Sequence, residues 1–160
     1  MLFCCLLFLF NHSLMAQKKV EVVKFDWVEN MKKVDNDTTY IVNFWATWCM
    51  PCIHELPAFE KLHQTYKDKK VKVILVSLDF YKKLDITVIP YLEKQKIDAE
   101  VVLLNEPDYN SWIDKVDKSW EGSIPATLIF NNRRKYNKFV EGELSYSELE
   151  ELLSIQKETK

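Results

Sequence analysis

Continuous apolar runs alternate along the chain with stretches whose apolar residues recur every three or four positions. The continuous runs have the length and the β-branched content of buried strands, whereas the periodic stretches indicate amphipathic helices. Strands are predicted at residues 20–23, 40–45, 71–78, 101–104, 126–130 and 138–143. Helices are predicted at residues 25–34, 51–66, 84–96, 109–120 and from residue 145 onward. This alternation favours a single α/β domain with a largely parallel centre.

Two of the predicted helices have clear signals at their ends or in their interior. Pro51 suits the first turn of the second helix, where a missing N–H group costs nothing, and Pro57 is expected to kink that helix. The apolar stripe of this helix consists of Ile53, Leu56, Phe59, Leu62 and Tyr66. The last helix is predicted to begin with a capping box formed by Ser145 and Glu148.

An apolar run occupies residues 2–10, and the first charged side chain is Lys18. The run is shorter than the about 20 apolar residues that span a bilayer, but it has the length of the apolar region of a secretory signal. Ala16 is a small residue suited to a cleavage point. We therefore predict a signal peptide at residues 1–16 and a folded domain at residues 17–160, with a retained membrane anchor or a buried N-terminal strand as alternatives.

The composition excludes several classes of function. The only glycines in the 160 residues are Gly122 and Gly142, whereas phosphate-cradling loops and dinucleotide fingerprints need several glycines close together. The 22 basic and 24 acidic residues give a net charge of −2, so no strongly basic face is required. We predict no bound cofactor and no nucleic-acid partner.

The cysteines carry the chemistry that the pattern does indicate. Two of the four lie inside the apolar run at residues 2–10, and the other two form Cys49-Met50-Pro51-Cys52 between a buried strand and a helix. At a helix N-terminus, unpaired N–H groups and the helix dipole stabilise a thiolate, which is the form that attacks a disulfide. The spacing lets the second sulfur reach the first, so the pair can cycle between dithiol and disulfide.

The order of the two cysteines suggests their roles. Cys49, at the strand-to-helix corner, is predicted to be the nucleophile and to lie nearest the solvent, and Cys52, one turn into the helix, to be more buried and to act as the resolving thiol. Trp48 is expected to shield one side of the sulfur, to pack in the core, or to do both. The alternatives are a permanent structural disulfide, a zinc site with His54 and His63, and Cu(I) held by the two thiolates. The spacing of the histidines does not match structural zinc patterns, so no metal is predicted.

The segment at residues 42–52, Val-Asn-Phe-Trp-Ala-Thr-Trp-Cys-Met-Pro-Cys, resembles the active-site segment of thioredoxin-fold proteins, and most of all the TlpA/ResA branch of exported thiol–disulfide oxidoreductases. That branch commonly has Asn at the position of Asn43 and a Glu shortly after the second Cys, here Glu55. The resemblance implies that Glu55 lies near the cysteines and takes the proton from Cys52, and it makes Cys49, Cys52 and Glu55 the candidate catalytic residues. Without the resemblance, a glutamate at this position is more commonly a solvated surface charge.

The stretch Ser123-Ile124-Pro125-Ala126-Thr127 is similar to the cis-proline loop of this family, which packs against the CxxC pair. The resemblance implies a thioredoxin fold, with a central mixed sheet flanked by helices and an insertion between the CxxC helix and the cis-proline strand. It also implies that Trp48, Pro51, Ile124 and Pro125 bind the substrate, with Ile124 offering backbone groups to an extended strand. Trp112 and Trp120, within the inserted segment at residues 81–120, are expected to be core residues or to line a partner groove.

The resulting hypothesis is an exported periplasmic or cell-envelope oxidoreductase that reduces protein disulfides and is recharged by an upstream thiol donor, which a membrane carrier could supply. We expect a monomer. A thiol peroxidase is an alternative, although it calls for a Thr-x-x-Cys pattern and a nearby Arg, and Arg133 and Arg134 are remote in sequence. A Cu(I) chaperone or a thioredoxin-fold binding module without redox turnover is the alternative outside enzymes.

Overall fold

A computed structural model describes residues 18–158, with side chains through Ile155, so the predicted signal peptide lies outside the described residues. Within this range six strands form one mixed sheet in the order β1-β4-β3-β2-β5-β6. The strands are β1 Glu21–Val23, β2 Thr39–Trp45, β3 Val71–Ser77, β4 Glu100–Leu104, β5 Ala126–Asn131 and β6 Tyr136–Glu141. The first four in chain order pair in parallel, whereas β5 and β6 run antiparallel to their neighbours. Every residue of β2 is buried, as expected for the apolar run that predicted it.

The helices cover the two faces of the sheet. They are α1 Phe25–Lys32, α2 Met50–Tyr66, α3 Ile89–Gln95, α4 Ile113–Val116 and α5 Tyr146–Glu158. On one face, α2, α3 and α5 pack their apolar stripes together against the sheet. On the other face, α1 packs with an aromatic cluster that includes Trp112 and Trp120. This arrangement brings the N-terminus of α2 to the carboxyl end of β2, where the predicted chemistry lies.

The inserted segment differs most from the sequence prediction, because the helix predicted at residues 109–120 is wrong. The chain forms a single 3-10 turn at Tyr109–Ser111 and the four-residue α4 instead. Trp112 turns into the core and donates its indole N–H to the Glu106 carbonyl at 3.1 Å, which interrupts the helical path. Asp117 is extended, and its carboxylate accepts from the Ser119 backbone N–H at 2.9 Å, a local turn that ends α4.

Two other elements differ slightly from the bounds predicted for them. The helix predicted at residues 84–96 is divided into a wide π-helical turn at Leu84–Val88 and α3, because Pro90 has no N–H to continue the regular pattern. The last strand is Tyr136–Glu141 rather than residues 138–143, since the turn before it closes with Lys135 at a positive φ of 52°. α2 continues through Pro57 to Tyr66 as one helix.

None of the helices within residues 18–158 combines the length and the apolar character that are needed to span a bilayer.

Candidate active site

Cys49 and Cys52 form a disulfide at the start of α2. Their sulfurs are 2.04 Å apart and their Cα atoms 5.3 Å apart. Cys49 is the N-cap of the helix, with extended backbone angles, and Cys52 lies within the first turn. Cys52 is fully buried and Cys49 is 6% exposed, so the order of exposure is the one that the sequence predicts.

The backbone at the N-terminus of α2 is arranged to stabilise negative charge on Cys49. The Cys49 Sγ accepts a hydrogen bond from the Cys52 backbone N–H at 3.3 Å, which is the capping position of the helix. Pro51 occupies the first turn, where it removes no needed donor, and no acidic residue lies in that turn. In the reduced protein the same N–H group and the helix dipole would favour the thiolate of Cys49.

The cis-proline loop lies directly against the disulfide. The Ile124–Pro125 peptide bond is cis, and the Ile124 carbonyl oxygen is 3.6 Å from the Cys49 Sγ. The carboxylate of Glu141 holds this loop by accepting from the Ser123 backbone N–H at 2.8 Å and the Glu121 backbone N–H at 3.1 Å. Glu141 had no sequence signal, because a glutamate on a strand does not indicate a contact 18 residues away in the chain.

Trp48 and Pro51 both lie on the surface beside the disulfide, and Trp48 is 60% exposed. The core-packing alternative for Trp48 is therefore wrong.

The loop before Trp48 is held by Asp79, whose carboxylate accepts from the Thr47 backbone N–H at 3.0 Å and from the Thr47 hydroxyl at 2.5 Å. Asp79, two residues after the end of β3, is a second site residue that had no sequence signal.

Glu55 lies one turn beyond Cys52 on α2 and is 2% exposed, which rules out the solvated surface charge. Its Oε1 accepts from the Asn43 side-chain amide at 2.6 Å, and its Oε2 accepts from the Leu144 backbone N–H at 2.8 Å. Burial raises the pKa of this carboxyl from 4.5 to about 7, although both hydrogen bonds act to lower it. A carboxyl with a pKa near 7 can take up or release a proton at neutral pH.

Asn43, on the central strand β2, connects Glu55 to the cis-proline strand. Its amide nitrogen also donates to the Thr127 hydroxyl at 3.1 Å, and Thr127 lies two residues after Pro125. The Asn43 Oδ1 atom is buried and has no partner among the described residues. The resemblance drew attention to Asn43, but only the structure shows which side chain it touches.

Trp112 and Trp120 are both core residues and both line a cavity of about 330 Å³ beside the disulfide. The two expectations for these residues are therefore compatible. Trp48 and Ile124 form the part of the cavity wall next to Cys49, and Leu78, Tyr109, Ile113 and Gly122 complete the lining.

Two of the alternatives, a zinc site and a thiol peroxidase, call for additional side chains beside the cysteines, namely further metal ligands or an arginine. Within the described part of the chain, no group of three or more His, Cys, Asp or Glu side chains could hold a metal ion. Arg133 and Arg134 lie in the turn that joins β5 to β6, at the end of β5 away from Pro125, and they pair with Asp35 and Asp37.

The comparisons with known proteins agree with this geometry. The model of the AhpC/TSA family matches residues 19–137. The chain belongs to the AhpC/TSA family. A thiol-disulfide oxidoreductase ResA from Oceanobacillus iheyensis is 30% identical over 114 residues, which are 71% of this chain and 55% of that protein. A thioredoxin-like protein YneN from Bacillus subtilis is 28% identical over 118 residues, or 72% of this chain and 63% of that protein.

A solved structure of a thioredoxin-related protein from Neisseria meningitidis serogroup B has a TM-score of 0.66 and 20% identity, and the match covers 79% of this chain and 90% of that one. The thioredoxin fold and the relation to ResA-type proteins that the sequence predicts are thereby confirmed. This AhpC/TSA chain spans 55% of the length of the ResA protein and 63% of the YneN protein named above, and 61% of a second ResA protein.

Proposed function

We propose that this protein is a thiol–disulfide oxidoreductase that reduces disulfides in polypeptides through the Cys49–Cys52 pair. The observation that carries the proposal is the disulfide itself, placed at the N-terminus of α2 and against the cis-Pro125 loop. A purely structural CxxC disulfide closes a very small loop and gains little stability from it. The names of its ResA relatives support the same activity.

In the first step the Cys49 thiolate attacks one sulfur of the substrate disulfide. A bond forms between Cys49 and that sulfur, the substrate S–S bond breaks, and the second substrate sulfur leaves as a thiolate that takes a proton from water. The Cys52 N–H and the α2 dipole support the thiolate of Cys49, while Ile124 and Pro125 place the substrate chain beside the sulfur. Trp48 and Pro51 form the exposed rim of this surface.

In the second step Cys52 attacks the Cys49 sulfur of the mixed disulfide. Glu55 takes the Cys52 proton, the bond between Cys49 and Cys52 forms, and the substrate sulfur leaves as a second thiolate. The substrate has then gained two electrons and the protein holds the disulfide that the structure shows. The pKa of Glu55 near 7 suits this role, because its carboxylate form is populated at neutral pH and still accepts a proton readily.

The oxidised pair must be returned to the dithiol before another turnover. We propose that an upstream dithiol donor performs this reduction, and that a membrane protein supplies it. We also propose that the protein is a monomer of the periplasm or cell envelope, exported through the apolar segment at residues 2–10. Cell fractionation with N-terminal sequencing of the mature protein tests export, and sedimentation tests the monomer.

The decisive experiment compares two single-cysteine variants. The reduced wild-type protein is mixed with a disulfide-bonded peptide, and the products are followed by mass spectrometry. We expect the wild type to release both peptide thiols, Cys52→Ser to accumulate a mixed disulfide through Cys49, and Cys49→Ser to be inactive. Activity that survives Cys49→Ser would overturn the proposal and favour a binding module.

The direction of electron flow and the alternatives are tested on the same samples. We expect a reduction potential of the pair well below the about −120 mV of a strong oxidant, and a value near that figure would contradict a reductase. Rapid consumption of hydrogen peroxide by the wild type would instead indicate a thiol peroxidase. Tight Cu(I) binding without any peptide reduction would indicate a copper chaperone.

A further inference from the structure

We propose that the aromatic cavity beside Cys49 receives one large apolar side chain of the substrate polypeptide, from a residue one or two positions away from the reactive cysteine. The occupant is therefore an extended, unfolded segment in which a cysteine is flanked by residues such as Leu, Phe or Trp. This inference rests on the proposed function, because it names the class of substrate that the Cys49–Cys52 pair would reduce.

The cavity adjoins the reactive site through two of its lining residues. Trp48 immediately precedes Cys49, and Ile124, whose carbonyl oxygen lies 3.6 Å from the Cys49 sulfur, contributes to the same wall. An extended chain laid along Ile124 would place its cysteine at the Cys49 sulfur. Successive residues of such a chain advance by about 3.3 Å and point to alternate sides. A side chain one or two residues from that cysteine is therefore the group that can enter the cavity.

The lining of the cavity is suited to an apolar group. None of its eight residues carries a charge, and five of them lie between residues 109 and 122, namely Tyr109, Trp112, Ile113, Trp120 and Gly122. The indole N–H groups of the two buried tryptophans are already satisfied, one by the Glu106 carbonyl at 3.1 Å and the other by the Ser123 carbonyl at 2.8 Å. A charged substrate side chain would lose its water here and gain no ionic partner.

The size of the cavity selects a single side chain. Its volume of about 330 Å³ lies at the lower end of the about 300–1,000 Å³ found for small-molecule sites. The wall is also firmly built, because Trp112 packs against Phe44 at 6.2 Å and against Trp120 at 5.5 Å between ring centroids. At Gly122, which has a φ of +96°, an added Cβ would lie 3.4 Å from Ile113 Cδ1, so this edge has little room to spare.

Two other exposed aromatic residues lie outside the cavity, so binding in the cavity can be distinguished from nonspecific hydrophobic binding at the surface. Phe80 and Tyr81 are 75% and 56% exposed and do not line the cavity. They therefore offer matched surface controls near the same end of the sheet, since Asp79, directly before them, holds the loop that leads to Cys49.

The test uses peptides with one cysteine in a disulfide with 5-thio-2-nitrobenzoate, a low-pKa leaving group that directs attack to the peptide sulfur. Single Ala, Leu, Phe, Trp or Lys residues are placed one or two positions before or after the cysteine. The second-order rate of chromophore release by the reduced protein is measured for each peptide. We expect Leu, Phe or Trp at the best position to react about tenfold or more faster than Ala, and Lys to react no faster than Ala.

Two variants and a control locate the preference. Ile113→Trp fills the cavity and Tyr109→Ser opens its partly exposed edge, and we expect each to reduce the Phe-to-Ala rate ratio to about twofold or less. Tyr81→Ser should retain the wild-type ratio. Both cavity variants are checked by circular dichroism, and either one that folds suffices for the test.

The outcomes separate this proposal from the proposed function. Equal rates for all peptides, a preference for Lys, or an apolar preference that survives in a folded cavity variant would overturn the cavity proposal while leaving the reductase intact. Failure of the reduced wild type to release the chromophore from any peptide would overturn both.

Discussion

The Asn43 side-chain amide donates to Glu55 Oε1 at 2.6 Å and so joins the central strand of the sheet to the helix that carries the cysteine pair. The Leu144 backbone N–H holds the other carboxylate oxygen at 2.8 Å. The carboxylate is therefore fixed from two sides, one turn beyond Cys52. Because the Asn43 amide donates, its hydrogen bond stabilises the ionised carboxylate of Glu55.

The stability of the oxidised protein should fall as the pH rises through the range in which Glu55 ionises. Burial raises the pKa of Glu55 from 4.5 to about 7, so between these values the folded state binds more protons than the unfolded state. The contribution of Glu55 to the free energy of unfolding is then greatest below about pH 4.5 and decreases as the pH rises through about 7, by on the order of 3 kcal/mol. Urea unfolding of Glu55→Gln at pH 4 and pH 8 should show this loss removed, whereas the exposed Glu151→Gln should keep it. The same pH dependence in wild type and Glu55→Gln would contradict the assignment.

Removing the Asn43 amide should raise the pKa of Glu55 further. The hydrogen bond from Asn43 favours the ionised carboxyl, and a bond to a charged group is worth about 1.5–3 kcal/mol, or roughly one pKa unit or more. We expect this increase in Asn43→Ala, measured by NMR titration of the Glu55 side-chain carboxyl carbon. Thr127→Val is the control, because Thr127 touches Asn43 and has no hydrogen bond with Glu55. A pKa that is unchanged or lowered in Asn43→Ala would show that the amide does not stabilise the carboxylate.

Much of the fold and the centre of the site follow from local sequence pattern. The run at residues 40–45 and the stripe of α2 fix a strand-to-helix corner, and the CxxC pair lies at that corner in the structure. The capping box is also formed as predicted, since the Ser145 backbone N–H donates to Glu148 Oε2 at 2.8 Å and the Glu148 backbone N–H donates to the Ser145 hydroxyl at 3.4 Å. Such features are predictable because they depend on residues a few positions apart.

The parts that were missed depend on contacts between distant segments. Nothing local to Asn43 indicates a bond to a glutamate on α2, and nothing local to Glu141 indicates that it holds the loop before Pro125. The helix predicted at residues 109–120 fails for a related reason. Its periodic apolar residues include Trp112, which packs in the core, and the chain around Trp112 forms a 3-10 turn and a four-residue helix instead of one long helix.

Asp79 should be required for the rigidity of the loop that precedes Cys49. Its buried carboxylate accepts from the Thr47 N–H, the Thr47 hydroxyl and the Ser77 hydroxyl. Asp79→Asn replaces one acceptor oxygen with a donor, so we expect a loss of about 1–3 kcal/mol in the free energy of unfolding. Hydrogen exchange of the Thr47 amide should also become faster. The exposed Asp68→Asn serves as the control, and wild-type exchange at Thr47 in Asp79→Asn would argue against this role.

Glu55 should determine the pH dependence of the resolving step. Because its carboxylate accepts the Cys52 proton, release of the second substrate thiol from the mixed disulfide should rise with pH and level off above about pH 7, the pKa of Glu55. In Glu55→Gln, Cys52 must ionise unaided, so the rate at pH 7 should fall about 100-fold and the inflection should move to higher pH. Quenched-flow trapping of free thiols in single-turnover reactions separates this step from the attack by Cys49. Glu55→Asp, which keeps a carboxylate, should recover part of the rate and an inflection, which a purely structural contribution would not produce. If Glu55→Gln retains the inflection near pH 7, another group accepts the proton.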